Sequence, residues 1–290
     1  MASSRVRLVL HGGAGALPDR DYSRQIEHMH GLIEAGRDRL NAGAEAMDVV
    51  VETITQLEIS GLYVAGRGAS PNAAGAYELD ASLMDGRSRR AGAVAGLQGF
   101  VSPIVAARAV MERTRHVILA GEGAGRFAAV QGLEAIADTQ TWFTPAAPRG
   151  EFGPAARMGT VGCVALDQTG GLAAGTSTGG TFDKLPGRVG DTPVPGAGMW
   201  ADETVAVSCT GEGEMFIRSA VGAQIAFRMR FGGQSLGEAA REALAEVGAL
   251  AGEGGLIALS ATGDIAMPFN SRGMKRAWLG PNGEIGSEAF

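Results

Sequence analysis

This 290-residue chain has few residues suited to a covalent staple or a catalytic metal. Its two cysteines, Cys163 and Cys209, both lie inside apolar, strand-like runs. That setting suits buried, reduced thiols better than a disulfide framework. Its four histidines, His11, His28, His30 and His116, have no cysteine or carboxylate at a ligand spacing, which argues against a transition-metal centre. There is no basic run, and the formal charge is −6, which disfavours nucleic acid as a partner. The start of the chain holds only a five-residue apolar run, "VRLVL", with an arginine inside it. It is too short for a signal-peptide core or a membrane span, so a cytoplasmic protein with no membrane partner is expected. A Gly-x-Ser-x-Gly elbow is also missing, so "HGGAG" at 11–15 does not belong to an esterase site.

Glycine, in contrast, is abundant. The 46 glycines cluster without a period, as "HGGAGA", "AGRGAS", "TSTGGT" and "CTGEGE". Such clusters mark tight turns and places where backbone comes close to another group. Hydrophobic residues make up 45%, enough for a sizeable core.

Periodicity predicts strands over 5–10, 77–85, 90–97, 117–121, 160–167, 171–178 and 204–211. A C-terminal hairpin over 255–262 and 264–269 turns at Gly263–Asp264. Helices are predicted over 22–42, 44–57, 103–113, 121–130, 213–231 and 235–250. Strands come in groups and helices in pairs, an α+β pattern in which two sheets lie between helical layers. Residues 138–159 break the pattern with three prolines and three glycines, and are the candidate linker.

Directly after that linker, Gly159 precedes Thr160 at the head of an apolar strand. A threonine hydroxyl is a weak nucleophile that needs an adjacent base. If the Gly159–Thr160 bond is cut, Thr160 gains an α-amine of pKa ~7.7–8.0, a usable base beside its own hydroxyl. The bland alternative is an ordinary strand start.

The wider context decides between them. The motifs "HGGAGA", "AGRGA…ELDASLMDG", "GTVGCVALDQTGGLAAGTSTGGTFDKLPGRVGD", "AVSCTGEGEMFIR" and "MPFNSRGMKRAW" follow one another in order along most of the chain. In this they resemble the plant-type asparaginase/isoaspartyl peptidase family of N-terminal-nucleophile hydrolases. The resemblance implies an αββα four-layer sandwich, self-cleavage into an α chain of 1–159 and a β chain of 160–290, and an (αβ)2 assembly. It implies Thr160 as nucleophile and Thr178 as the hydroxyl that orients it. It implies that Thr210 and the Gly211 N–H, placed at a helix start, form the oxyanion hole. Arg188 and Asp191 read the α-carboxylate and α-ammonium of an aspartyl group, with Gly211, Glu212 and Gly213 lining the substrate. No cofactor is required. A structural sodium ion is implied on the backbone carbonyls of Leu57, Glu58, Ser60, Tyr63, Ala65 and Arg67.

Two departures bear on substrate. Val64 stands where the family pattern has asparagine, which puts free asparagine in question as the preferred substrate. Glu212 stands where a neutral residue is usual. A carboxylate there favours β-aspartyl dipeptides ending in Arg or Lys, of the kind released from cyanophycin; the plainer alternative is that Glu212 caps its helix and faces water. Isoaspartyl dipeptide hydrolysis is thus the leading activity and L-asparagine hydrolysis the alternative. Glycosylasparaginase activity is third, and an uncleaved, non-catalytic binding protein is the reading from another class.

Overall fold

The first strand, β1 (Arg7–Ala14), is buried along its whole length and runs on through the "HGGA" turn of sequence. The sequence pattern ended it at residue 10. The computed structural model describes residues 6–146 and 159–290. Most of the candidate linker, 147–158, lies outside the described residues.

β1 sits inside an eight-stranded sheet with β2 (Leu79–Asp85), β3 (Ala91–Leu97), β4 (Ile118–Ala120), β5 (Val161–Leu166), β6 (Leu172–Thr178), β11 (Met274–Leu279) and β12 (Ile285–Glu288). The order is β12-β11-β1-β5-β6-β2-β3-β4, antiparallel throughout except for the parallel β3–β4 pair. A four-stranded antiparallel sheet, β10-β9-β8-β7, is made of β7 (Met199–Ala201), β8 (Val205–Gly211), β9 (Gly254–Ser260) and β10 (Ile265–Ala266).

The two-residue period of each strand separates three apolar layers. Leu8, Leu10, Val161, Cys163 and Ala165 point to one face of the large sheet. There they meet Ile33 of α1 (Ser23–Asn41), Val50 and Ile54 of α2 (Ala46–Ile59) and Ile104 of α3 (Pro103–Arg113). The alternate residues Val9, Val164 and Leu166 meet Met199, Ile257 and Leu259 between the sheets. On the far side, Val205, Val207 and Cys209 pack with Phe216 of α6 (Gly213–Ser219), Ile225 of α7 (Val221–Gly232) and Leu244 of α8 (Leu236–Ala249). The result is an αββα sandwich. Each large apolar side chain buried this way contributes about 1.5–3 kcal/mol. Both cysteines are buried and free, one on each sheet.

Several sequence expectations are corrected. The single helix predicted over 213–231 is two, α6 and α7, broken at Ala220 with φ of 47°. The break lets the Gly222 and Ala223 N–H groups donate to Ala197 and Gly196 carbonyls, at 3.1 and 2.9 Å, instead of continuing a helix ladder. α2 runs to Ile59 rather than Leu57. The candidate linker does not begin at 138. Asp138 caps a helical turn, α5 (Thr139–Trp142), and Phe143 stacks on Tyr77 at 3.7 Å. Strands β7, β11 and β12 have no counterpart in the sequence reading. In β11, buried Lys275 and Arg276 hide the apolar alternation, and Arg276 is satisfied by the Met274 carbonyl and the Glu288 carboxylate.

Candidate active site

On the inter-sheet face, sheet register brings the sequence-predicted threonines together. Val161 of β5 pairs with Ser177 of β6. The same register carried back one residue sets Thr160 opposite Thr178. Thr160 is buried, with 7% exposure. Thr210 approaches from the other sheet, near the end of β8. The link between the sheets is β1: the Ala14 N–H donates to Thr210 Oγ1 at 3.1 Å. A Cβ on neighbouring Gly13 would lie 2.8 Å from Gly159 Cα and 3.3 Å from the Thr160 carbonyl oxygen. Gly13 is therefore glycine because the Gly159–Thr160 backbone lies against it.

The junction is also held from two further sides. The Thr160 carbonyl lies 3.1 Å from His11 Nδ1, and His11 Nε2 lies 2.9 Å from Ser208 Oγ. A carbonyl only accepts, so Nδ1 carries the proton and Nε2 accepts from the serine. Complete burial lowers the His11 pKa to about 3, which keeps the ring neutral and this tautomer fixed. On the other side, a Cβ at Gly159 would meet Val64 Cγ2 at 2.4 Å. Val64 thus packs directly on the glycine before the candidate nucleophile. Its carbonyl takes the Gly179 N–H at 2.8 Å.

Thr178 Oγ1 accepts the Gly180 N–H at 3.0 Å and donates to the Val64 carbonyl at 3.5 Å, the outer limit for a hydrogen bond. It does not bond Thr160 among the described residues. Thr210 and Gly211 are the last two residues of strand β8, not the start of a helix; α6 begins at Gly213. Because Thr210 Oγ1 already accepts from Ala14, its own proton is left to donate.

Arg188 and Asp191 do not pair with each other. The Arg188 fork takes Glu214, Nε to Oε1 and Nη2 to Oε2, both at 2.9 Å. The guanidinium holds the Glu214 carboxyl below its usual pKa. Asp191 is buried with Oδ2 unpartnered, and burial pushes its carboxyl up to about 7, against the pull of Arg188. A buried carboxylate oxygen without a donor is suited to an incoming ammonium. Gly213 keeps the space beside the other oxygen clear: a Cβ there would sit 2.7 Å from Asp191 Oδ1.

Glu212 neither caps α6 with its side chain nor faces water freely. It is half-buried, and Oε2 accepts the Glu253 N–H at 3.1 Å. Further back, the end of α2 and the loop after it, residues 57–67, pack backbone carbonyls against Gly66 and Gly68. A Cβ on Gly68 would meet the Tyr63 carbonyl at 2.0 Å, and one on Gly66 would meet that of Glu58 at 2.6 Å. The carbonyls of Leu57, Tyr63, Ala65 and Arg67 each accept one protein donor, from Ser60 Oγ and the N–H groups of Ala65, Gly68 and Thr144. Each keeps a second lone pair. Neutral, all-oxygen donors of this kind fit a hard monovalent cation.

Sequence reasoning missed His11, Ser208 and Glu214. His11 sits in a quoted motif, but its partner Ser208 lies 197 residues away, and nothing local announces the pair.

An αββα sandwich with a glycine–threonine junction at the head of an inner strand, between the sheets, defines an N-terminal-nucleophile hydrolase. The family described as Asparaginase matches residues 4–285, and the chain belongs to it. The isoaspartyl peptidase of Salmonella typhimurium is 45% identical, covering 93% of this chain and 94% of its own. The isoaspartyl peptidase of Escherichia coli is 44% identical over 93% and 92%. The plant-type L-asparaginase of Pyrobaculum calidifontis is 41% identical over 97% and 99%. Among the described residues, no helix is long and apolar enough to cross a membrane.

Proposed function

We propose that the chain cleaves itself between Gly159 and Thr160 and then hydrolyses β-aspartyl dipeptides to L-aspartate and a free amino acid. The observation that carries this is the setting of the junction: Gly159 has no room for a side chain beside Val64, and His11 holds the Thr160 carbonyl. Resemblance to two isoaspartyl peptidases at 44–45% identity supports the substrate class.

In the reaction, the freed Thr160 amine takes the proton from its own hydroxyl, and Oγ1 attacks the side-chain carbonyl of the β-aspartyl group. Thr210 and the Gly211 N–H receive the oxyanion. The Thr160 ammonium returns its proton to the departing amine, and water then hydrolyses the ester to free aspartate and restores the hydroxyl. Thr178 orients the nucleophile. Asp191 takes the substrate α-ammonium, and Arg188 turns from Glu214 to the α-carboxylate. Gly211, Glu212 and Gly213 line the leaving-group side. The products of cleavage, 1–159 and 160–290, associate as (αβ)2 in the cytoplasm.

Asp191 gives this reading a pH signature. Its carboxyl must be ionised to hold an ammonium, and the free site titrates at about 7. The inhibition constant of the product L-aspartate therefore rises as pH falls below about 7, up to ~10-fold per unit. A constant that is flat from pH 5 to 8 contradicts the assignment. The same shift has an opposite sign for stability. The native carboxyl keeps its proton up to about 7 while the unfolded one loses it near ~3.9, so this stabilising contribution is full below that range and lost as pH rises through it.

Glu212 puts a half-buried carboxylate on the proposed leaving-group side. We expect kcat/KM to be several-fold higher for β-Asp-Arg than for β-Asp-Leu, a gain of ~0.5–1 kcal/mol for a partly screened charge pair. Both are expected to exceed L-asparagine, because Val64 offers that small substrate no polar contact. Equal rates for the two dipeptides overturn the basic preference. Asparagine turnover exceeding both overturns the substrate class.

The 57–67 loop is proposed to hold a sodium ion that stiffens the backbone around Val64. Replacing choline chloride by sodium chloride at equal ionic strength then raises the melting temperature, by ~2–4 °C per kcal/mol of binding. Identical melting in the two salts excludes the site.

A further inference from the structure

The motif "ELDASLMDG" contributes a residue that the proposed mechanism leaves unused. Asp80 is fully buried on β2, directly paired with Thr178 of β6. Since Thr178 is in turn opposite Thr160, the three residues form one cross-strand row over β2, β6 and β5. They share the inter-sheet face: Met84 of β2, Ala174 of β6 and Val164 of β5, each an even number of residues away, all pack between the sheets. Directly opposed residues on one face have Cβ atoms ~4.5–5.5 Å apart, within reach of a short side-chain hydrogen bond.

Both members of the Asp80–Thr178 pair have unmet demand. One Asp80 oxygen, Oδ1, is fixed by the Gly96 N–H at 2.7 Å, where β3 bulges and Gly96 takes φ of 62°. The other, Oδ2, is buried without a partner. Buried Lys184 acts on Asp80 through its charge, but the hydrogen bond its Nζ makes goes to the Glu78 carbonyl at 2.8 Å, and Oδ2 keeps no hydrogen-bond donor. Thr178 commits its proton only to the 3.5 Å contact with Val64. A hydroxyl rotates freely about its C–O bond, and a buried carboxylate oxygen is costly to leave unpaired.

We propose that Asp80 is a positioning residue for the nucleophile: its free oxygen accepts the Thr178 hydroxyl proton, which turns the Thr178 lone pair toward Thr160. A hydroxyl that donates to a carboxylate is a stronger acceptor in turn. The Thr160 hydroxyl or ammonium is then held in line by a chain anchored at the β3 bulge. Asp80 touches neither substrate nor scissile bond, and it acts through Thr178. This inference rests on the reading of Thr160 as nucleophile.

The test is a double-mutant cycle on kcat for a β-aspartyl dipeptide, with Asp80→Asn, Thr178→Val and the pair. Each single variant is expected to lose roughly 10- to 100-fold in kcat, the scale of a hydrogen bond to a charged group, with KM within about twofold. The pair is expected to be no worse than Thr178→Val alone, because both changes break one chain. A pair that loses the product of the two single effects overturns the proposal, as does Asp80→Asn with wild-type kcat. If Asp80→Asn does not accumulate folded, Asp80→Asn/Lys184→Gln removes both buried charges and enters the cycle in its place under the same criteria. Wild-type protein run in parallel separates the two claims: an inactive wild type condemns the nucleophile reading, and an active wild type with additive mutants condemns only the role of Asp80.

Discussion

Replacing Thr160 by alanine is expected to abolish both chain cleavage and hydrolysis. The two losses have one cause. In the proposed chemistry, Oγ1 is the atom that attacks the Gly159 carbonyl in the precursor and the substrate carbonyl in the mature enzyme. Without it no amine is freed, so the alanine variant lacks the nucleophile and the base together. The expected fall in kcat is on the order of a millionfold, the scale seen when a triad hydrolase loses its nucleophile. The fold itself is not at risk. Thr160 lies just before β5 and makes no side-chain hydrogen bond among the described residues, so removing its hydroxyl strands no partner. The melting temperature should stay within a few degrees of the precursor. Thr160→Ser is the control, since it restores the attacking atom: slow cleavage and partial activity are expected of it. Full activity in the alanine variant, measured by aspartate release, contradicts the assignment.

The second large effect belongs to Thr210→Val. Valine keeps the shape and removes a proton that the Thr210 hydroxyl is free to donate, because its oxygen already accepts from the Ala14 N–H at 3.1 Å. Loss of one oxyanion donor lowers kcat by roughly 100- to 1000-fold with little change in KM. It also leaves the Ala14 N–H without its acceptor in a buried setting, at a cost of ~1–3 kcal/mol in stability. Both losses are separable from the Thr160 case, because the Thr210 variant still has its nucleophile. Thr210→Ser returns acceptor and donor together and is expected to recover activity and melting temperature alike. A valine variant within threefold of wild-type kcat removes Thr210 from the oxyanion site.

The two threonines stand out in the sequence because each sits inside an ordered run of motifs. The long-range contacts around the site do not. The partner of His11 is 197 residues away, and that of Arg188 is 26 residues away on α6. Such contacts are set by how the two sheets face each other, which no local pattern encodes. The expectation that Arg188 and Asp191 act as free readers of one ligand met a different fact: Glu214 already occupies the Arg188 fork.

Element types were mostly readable where period and apolar content agreed. The Pro103–Arg113 helix and the strand ending at Leu166 are examples. Reading failed where tertiary contacts overrode local preference. Ala220 breaks a good helical pattern because loop carbonyls at 196 and 197 take the next N–H groups. Strand β11 stayed hidden because Arg276 is buried yet satisfied by Met274, Glu288 and the carbonyl of Phe290. The "HGGA" run, by contrast, reads as a strand end packed near the site, and in the structure it is the end of β1 beside the junction. Its glycines serve close approach rather than flexibility.

The central claim is that Thr160 becomes an amino terminus. The most direct measurement is the intact mass of the purified protein after incubation at neutral pH, with Thr160→Ala in parallel. The account predicts two fragments whose masses sum to the chain plus one water, with the new terminus at Thr160, and a single mass in the control. One uncleaved mass in both samples contradicts it, because the amine on which the proposed chemistry depends is then never formed.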